Sequence, residues 1–235
     1  MKVESSLIWV EGLIGSGKST FTQSLAEALG YRALYEPVKA NPFLGRFYED
    51  PKRYGWAMQT WILNHRYKLQ QLAQAEVSMG QGVVLDRGLP GDRVFMTLNV
   101  EMGNIPRELQ EVYDDWYGVM VNALRPPSLL VYLNVTPTTA SERIRKRGRP
   151  AEVNESSAGT PAVGLESGVS LEYLMRMQRH YEEMVKDMRN RSHVWAGKGL
   201  TVMEVDWNTD QAIDASLPVF QDIRRALELK AADLL

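Results

Sequence analysis

Gly12-Leu13-Ile14-Gly15-Ser16-Gly17-Lys18-Ser19 is the stretch that decides the fold. It satisfies G-x-x-x-x-G-K-[ST] in full, between an apolar run from Leu7 to Glu11 and a helical pattern from Lys18 to Leu29. A strand that enters a glycine-rich turn and leaves as a helix is what phosphate binding needs. Glycines let backbone N–H groups curl around phosphate oxygens, and the helix N-terminus adds the positive end of its dipole. In that setting Gly12, Gly15, Ser16, Gly17 and Thr20 are expected around a triphosphate. Lys18 reaches the transferred phosphoryl group, and the Ser19 hydroxyl faces Mg²⁺. The plain alternative is a glycine-rich turn that merely connects strand to helix.

The rest of the chain repeats this alternation, which predicts an α/β fold with a parallel sheet. Further strands are expected at Ala33 to Tyr35, Gly82 to Asp86, Leu129 to Val135 and Leu200 to Val205, which makes five. Helical patterns run over a short piece from Asn41-Pro42 to Glu49, then Tyr54 to Met79, Ile105 to Leu124, Thr136 to Arg147, Leu171 to Arg191 and a tail from about 211. Gly30 closes the first helix, and Thr136 caps another with Pro137 in its first turn. Pro90-Gly91 reads as a turn. Pro150 to Ser170 is rich in Gly, Ser, Ala and Pro and reads as a mobile loop. At about 150 residues per domain, 235 residues make one domain, 1–235, with a lid near 148–170.

Composition narrows the function. The 27 basic and 29 acidic residues give a net charge of −2, without the basic excess of a nucleic-acid binder. Six Trp, ten Tyr and five Phe exclude a disordered chain. No apolar run approaches the roughly 18 residues of a membrane span, and Leu7 to Val10 is too short for a signal peptide. With no cysteine, a disulfide framework, a thiol nucleophile and a Cys-based zinc site are excluded, and a reducing cytoplasm is the expected compartment. Three scattered histidines do not suggest a His-rich metal site.

Carboxylates and cations at the sheet edge point to chemistry. Asp86 ends a buried strand beside the phosphate loop, at the carboxyl edge where open α/β folds bind ligands, and suits Mg²⁺ directly or through water. Alone it better suits a turn before Arg87-Gly88; it is the pairing with the phosphate loop that favours the metal. Glu36 precedes Pro37, so its backbone is extended, again at that edge. A carboxylate near an arriving phosphoryl group repels an anionic acceptor and suits a hydroxyl, whose proton it can take. Read alone it is equally a surface residue in a strand–helix turn. Gln59, Ile62 and Arg66 share one helix face, with about 10 Å along the axis between the first and last. A carboxamide among aromatics reads a base edge because it donates and accepts side by side, but an isolated Gln at this spacing more often belongs to a core-facing stripe with its amide satisfied by backbone. Arg143, Arg145, Lys146, Arg147 and Arg149 crowd a helix C-terminus, where they either complement the dipole or close over a triphosphate.

From Leu7 to Asn208 the chain resembles the deoxynucleoside kinases, the deoxycytidine, deoxyguanosine and deoxyadenosine kinase group. Glu36-Pro37-Val38 resembles the family's Glu-Pro-Val, Gln59-Thr60 its Gln-Thr, and Asp86-Arg87 its acidic-Arg-Ser, with Gly88 in place of the usual Ser. Tyr113-Asp114-Asp115-Trp116 is similar to a recurrent Tyr-x-Asp-Trp. Arg143 to Arg149 followed by Leu171-Glu172-Tyr173-Leu174 is similar to the lid and its helix, with an insertion before Leu171. The resemblance implies a P-loop fold with an open five-stranded parallel sheet and an arginine-rich lid. It implies an ATP-dependent kinase that phosphorylates the 5′-hydroxyl of a deoxynucleoside for nucleotide salvage, with Mg²⁺ on Ser19 and Asp86. Glu36 would be the base and Arg87 would sit by the 5′-oxygen. Tyr48 would meet the 3′-hydroxyl together with a lid glutamate, Glu152 or Glu166. Gln59, Arg66 and Asp92 would read the base in a pocket faced by Ile62 and Met96. Arg143 would stack on adenine, and Arg147 and Arg149 would contact phosphates and the acceptor side. A purine or deoxycytidine is preferred over thymidine, and a homodimer through long helices is expected. The rival readings are a thymidylate-kinase-like nucleoside monophosphate kinase, which needs cations for its acceptor, and a nucleotide switch that is not a kinase.

Overall fold

The computed structural model describes residues 5–37, 40–147, 169–190, 195, 200–209 and 216–232. Among these described residues five strands form one sheet: β1 (Leu7–Gly12), β2 (Arg32–Leu34), β3 (Val83–Asp86), β4 (Leu129–Asn134) and β5 (Thr201–Asp206). Their order is β2-β3-β1-β4-β5, and every pairing is parallel. Parallel strands covered by helices on both faces must be apolar throughout, and β1 and β3 are buried along their whole length. The helices are α1 (Lys18–Leu29), α2 (Leu44–Glu49), α3 (Pro51–Ser78), α4 (Leu89–Glu101), α5 (Arg107–Asn122), α6 (Pro137–Arg147), α7 (Leu171–Arg189) and α8 (Pro218–Ala232). No described helix is long and apolar enough to cross a membrane.

The fold class, the number of strands and the first helix stand as the sequence predicts. Gly30 closes α1 in the left-handed region at φ 70°, and Thr136 Oγ1 accepts the N–H of Thr139. Three expectations need correction. Helix α4 was not expected, because Pro90-Gly91 reads locally as a turn. Proline is tolerated in a first helical turn, where its missing N–H has no partner to lose. Residue 91 is glycine for a reason of packing, since a Cβ there would collide with both carboxylate oxygens of Glu11 on β1. The second strand ends at Leu34, so Glu36 lies two residues beyond it. The last helix begins at Pro218.

Register places the chemistry. Val10 pairs with Asp86, so the phosphate loop and the end of β3 emerge side by side at the carboxyl edge of the sheet. Behind that edge Phe21 of α1 meets Trp207 after β5 and Phe220 of α8 edge-on, with centroids 5.0 and 5.2 Å apart. Trp9 packs against Trp195 at 5.0 Å.

Candidate active site

The phosphate loop is held open by its glycines. Gly15 and Gly17 have φ of 80° and 88°, a region where side chains are disfavoured, and a Cβ on Gly15 would lie 2.5 Å from the Ala140 carbonyl oxygen. Lys18 is buried, and its Nζ donates to the Leu13 carbonyl at 2.5 Å and to Ser16 Oγ at 3.3 Å. Burial and the neighbouring Arg87 charge lower its pKa to about 7, against the pull of Asp86, Glu11 and Glu36. The Ser19 hydroxyl donates to Asp86 Oδ2 at 2.6 Å, so these two oxygens meet beside the loop. Thr20 is exposed on α1. Arg143 Nη1 donates to the Ser16 carbonyl at 3.2 Å, and its Nη2 to the carbonyls of Trp207 at 3.0 Å and Thr209 at 2.7 Å. It thereby ties α6 and the end of β5 to the loop. Arg147 ends α6, exposed; Arg149, Glu152, Glu166 and most of the expected lid lie outside the described residues.

Next to the loop lies a buried network of opposite charges. Arg66 on α3 is 3% exposed and bonds Glu36 Oε1 through Nη2 and Asp92 Oδ1 through Nη1, both at 3.0 Å. Gln59, also fully buried, donates from Nε2 to Asp92 Oδ2 at 2.9 Å, and Tyr113 donates to the same oxygen at 2.6 Å. The helical spacing that puts Gln59 and Arg66 on one face thus delivers both to one carboxylate. Among the described residues two atoms of this network have no partner: Gln59 Oε1, an acceptor, and Arg66 Nε, a donor. Buried polar atoms left unpaired in a protein ask for a ligand or water.

Arg87 closes the network. It has φ 73°, the left-handed region, directly after β3. Its Nε lies 3.6 Å from Glu36 Oε2, and its Nη1 donates to the Tyr181 hydroxyl on α7. The Phe95 ring lies under both guanidinium groups, 4.9 Å from Arg87 and 5.3 Å from Arg66. Burial alone would push Glu36 up, but the Arg66 and Arg87 charges and the Arg66 hydrogen bond outweigh it and hold its pKa below the ordinary carboxylate value. Burial pushes Asp92 up, against Arg66, Tyr113 and Gln59. Carboxylates on both sides of Arg66 outweigh its burial and raise its pKa further.

The site therefore joins an anion-binding loop to a carboxylate kept ionised between two arginines, with an open acceptor–donor pair nearby. The family model for deoxynucleoside kinases matches residues 8–225. A deoxyadenosine kinase of Dictyostelium discoideum is 30% identical over 206 residues, 88% of this chain and 74% of that protein. The chain belongs to the deoxynucleoside kinase family. It is a phosphotransferase that acts on a deoxynucleoside hydroxyl, with ATP as donor. A deoxyadenosine kinase of Lactobacillus acidophilus is 38% identical over 151 residues, 62% of this chain and 68% of that one. The structure of the deoxyadenosine kinase of M. mycoides with bound dATP superposes with a TM-score of 0.64 at 30% identity, over 97% of this chain and 98% of that one.

Not every expected residue of the kinase joins the network. Tyr48 lies on α2, in a pocket shared with Phe47, Met102 and Tyr173. Ile62 is half-buried on α3, and Met96 is a fully buried core residue of α4. Sequence reasoning missed Glu11, Phe95 and Tyr181. Of these, Glu11 alone carried a signal, as a charge closing an otherwise apolar strand. Gly88 is explained by packing: a Cβ there would lie 2.6 Å from the Trp9 ring.

Proposed function

We propose that this kinase transfers the γ-phosphoryl group of ATP to the 5′-hydroxyl of a deoxynucleoside, with Glu36 as the base. The observation that carries this reading is the Glu36 carboxylate, fixed between Arg66 and Arg87 and held ionised at neutral pH. In that state it can accept the hydroxyl proton as the oxygen bonds to phosphorus and ADP leaves. The same charge opposes a monophosphate acceptor, which disfavours the thymidylate-kinase-like reading. Lys18 and the amides of the glycine loop bind the triphosphate, and Arg87, Arg147 and Arg149 offset charge in the transition state. The in-plane hydrogen bonds of Arg143 fix a guanidinium plane of the kind on which a purine stacks.

The adjacent oxygens of Ser19 and Asp86 suit a hard cation that keeps most of its water and takes further ligands from phosphate, so Mg²⁺ fits there. Bound, it would neutralise phosphate charge. Gln59 Oε1 and Arg66 Nε present an acceptor and a donor to the base, with Asp92 fixing both residues. An exocyclic amine next to a ring nitrogen matches that pair, which favours a purine or deoxycytidine over thymidine. Tyr48 is proposed at the 3′-hydroxyl, with Ile62 and Met96 shaping the pocket. Val112, Trp116 and Val119 recur at helical spacing on α5 and are exposed, 72% for Val119, which supports a homodimer through this face. The chain is read as a single domain working in the cytoplasm.

Labelled-ATP transfer to the four deoxynucleosides and their four monophosphates tests the reading. Product from a purine deoxynucleoside or deoxycytidine and none from the monophosphates is expected. Transfer to monophosphates alone would overturn it.

A further inference from the structure

Glu11 is a fully buried carboxylate with no part in the reaction just described. It closes β1 immediately before the phosphate loop. Side-chain alternation puts it on the same face as Trp9, towards α4 and α7. Its Oε1 accepts the Gly88 N–H at 2.7 Å. Its Oε2 accepts the Tyr181 hydroxyl at 3.2 Å and lies 3.7 Å from Arg87 Nη1. The space it fills exists only because residue 91 lacks a side chain. Burying a carboxylate is costly unless several partners offset it, and all of these partners converge on the 87–88 turn.

That turn needs holding. Arg87 adopts a left-handed backbone conformation that side chains disfavour, and such strain persists where its surroundings over-determine it. Glu11 grips the turn on both sides of the strained bond, the Gly88 amide through one oxygen and the Arg87 guanidinium through the other. Tyr181 completes the grip, since its hydroxyl accepts from Arg87 and donates to Glu11. Arg87 pairs with two carboxylates, Glu11 and Glu36. Without the first, the guanidinium is free to settle on the second, which is the base.

We propose that Glu11 and Tyr181 are positioning residues, a two-point anchor that sets the Arg87 guanidinium where it meets the transferring phosphoryl group and keeps it from collapsing onto Glu36. This inference rests on the role given to Arg87 above.

The test is a mutant cycle on steady-state kinetics with a deoxynucleoside acceptor at saturating ATP. Glu11→Gln preserves volume and an acceptor for Gly88 but removes the charge, and Tyr181→Phe removes only the hydroxyl. Each should lower kcat by about 10- to 100-fold, the scale for loss of an orienting partner. The nucleoside KM should change by less than about twofold, because the interaction acts on the transition state. In an Arg87→Ala background either change should add less than about twofold, since the group it positions is gone. Multiplicative losses in that background, or KM rising in step with the fall in kcat, would overturn the anchor. If Glu11→Gln does not fold, the Tyr181→Phe arm decides alone. If Arg87→Ala by itself leaves kcat unchanged, the role given to Arg87 fails, and the anchor fails with it.

Discussion

Replacing Arg66 with Met keeps the volume of the side chain and removes its charge. Arg66 is 3% exposed and bridges Glu36 and Asp92 at 3.0 Å each, so its loss takes from two buried carboxylates the cation they share and leaves Arg87 beside Glu36. Breaking a buried pair by removing one partner costs about 3–5 kcal/mol. For a chain of 150–250 residues that is about 2–4 °C per kcal/mol, a fall in Tm of roughly 6–20 °C. The pH dependence is the sharper signature. In the native protein Glu36 titrates below its ordinary value, so it stabilises the fold at neutral pH and loses that contribution only as pH falls through its lowered pKa. Without Arg66 burial prevails, the folded-state pKa of Glu36 rises, and that of Asp92 rises further. A carboxylate raised in this way destabilises the fold as pH rises. The deficit of Arg66→Met should therefore be largest near pH 8 and shrink towards pH 5. Urea unfolding at both pH values measures it. A deficit below about 1 kcal/mol, or one equal at the two pH values, would refute the reasoning.

Gly88→Ser should destabilise this chain by about 1–3 kcal/mol in chemical denaturation, because its Cβ would enter the Trp9 ring. An unchanged midpoint would show that Trp9 moves aside freely. Gln59→Leu removes the unpaired acceptor and should raise the KM for a purine deoxynucleoside at least tenfold, with a smaller change in kcat, as expected for lost ground-state binding. The proposed dimer through α5 predicts that the parent sediments as a dimer and Val119→Asp as a folded monomer; a variant that sediments like the parent would remove α5 from that proposal.

Legibility followed the range of the forces involved. The phosphate loop is contiguous, so its glycines, Lys18 and Ser19 could be read directly, and the turn geometry follows from them. Gln59 and Arg66 were legible because helical periodicity puts them on one face, although their shared carboxylate, Asp92, is 33 and 26 residues away. Helix α4 was not legible. Its local signal, Pro90-Gly91, indicates a turn, while the reason for glycine is the Glu11 carboxylate, far away in sequence on β1. Tyr181 bonds Glu11 across 170 residues, and no spacing rule reaches that far. The expected second strand runs to Tyr35, but the strand ends at Leu34 and leaves Tyr35 40% exposed.

In the proposed reaction Glu36 is the group that takes the proton of an uncharged acceptor. Glu36→Gln tests it most directly, with nucleoside affinity measured by calorimetry and phosphoryl transfer by single turnover on the same preparation. The expected result is nucleoside affinity close to that of the parent with transfer slowed by about 10²–10⁴-fold, the contribution of a general base. Transfer at the parental rate by a variant that still binds nucleoside would contradict it.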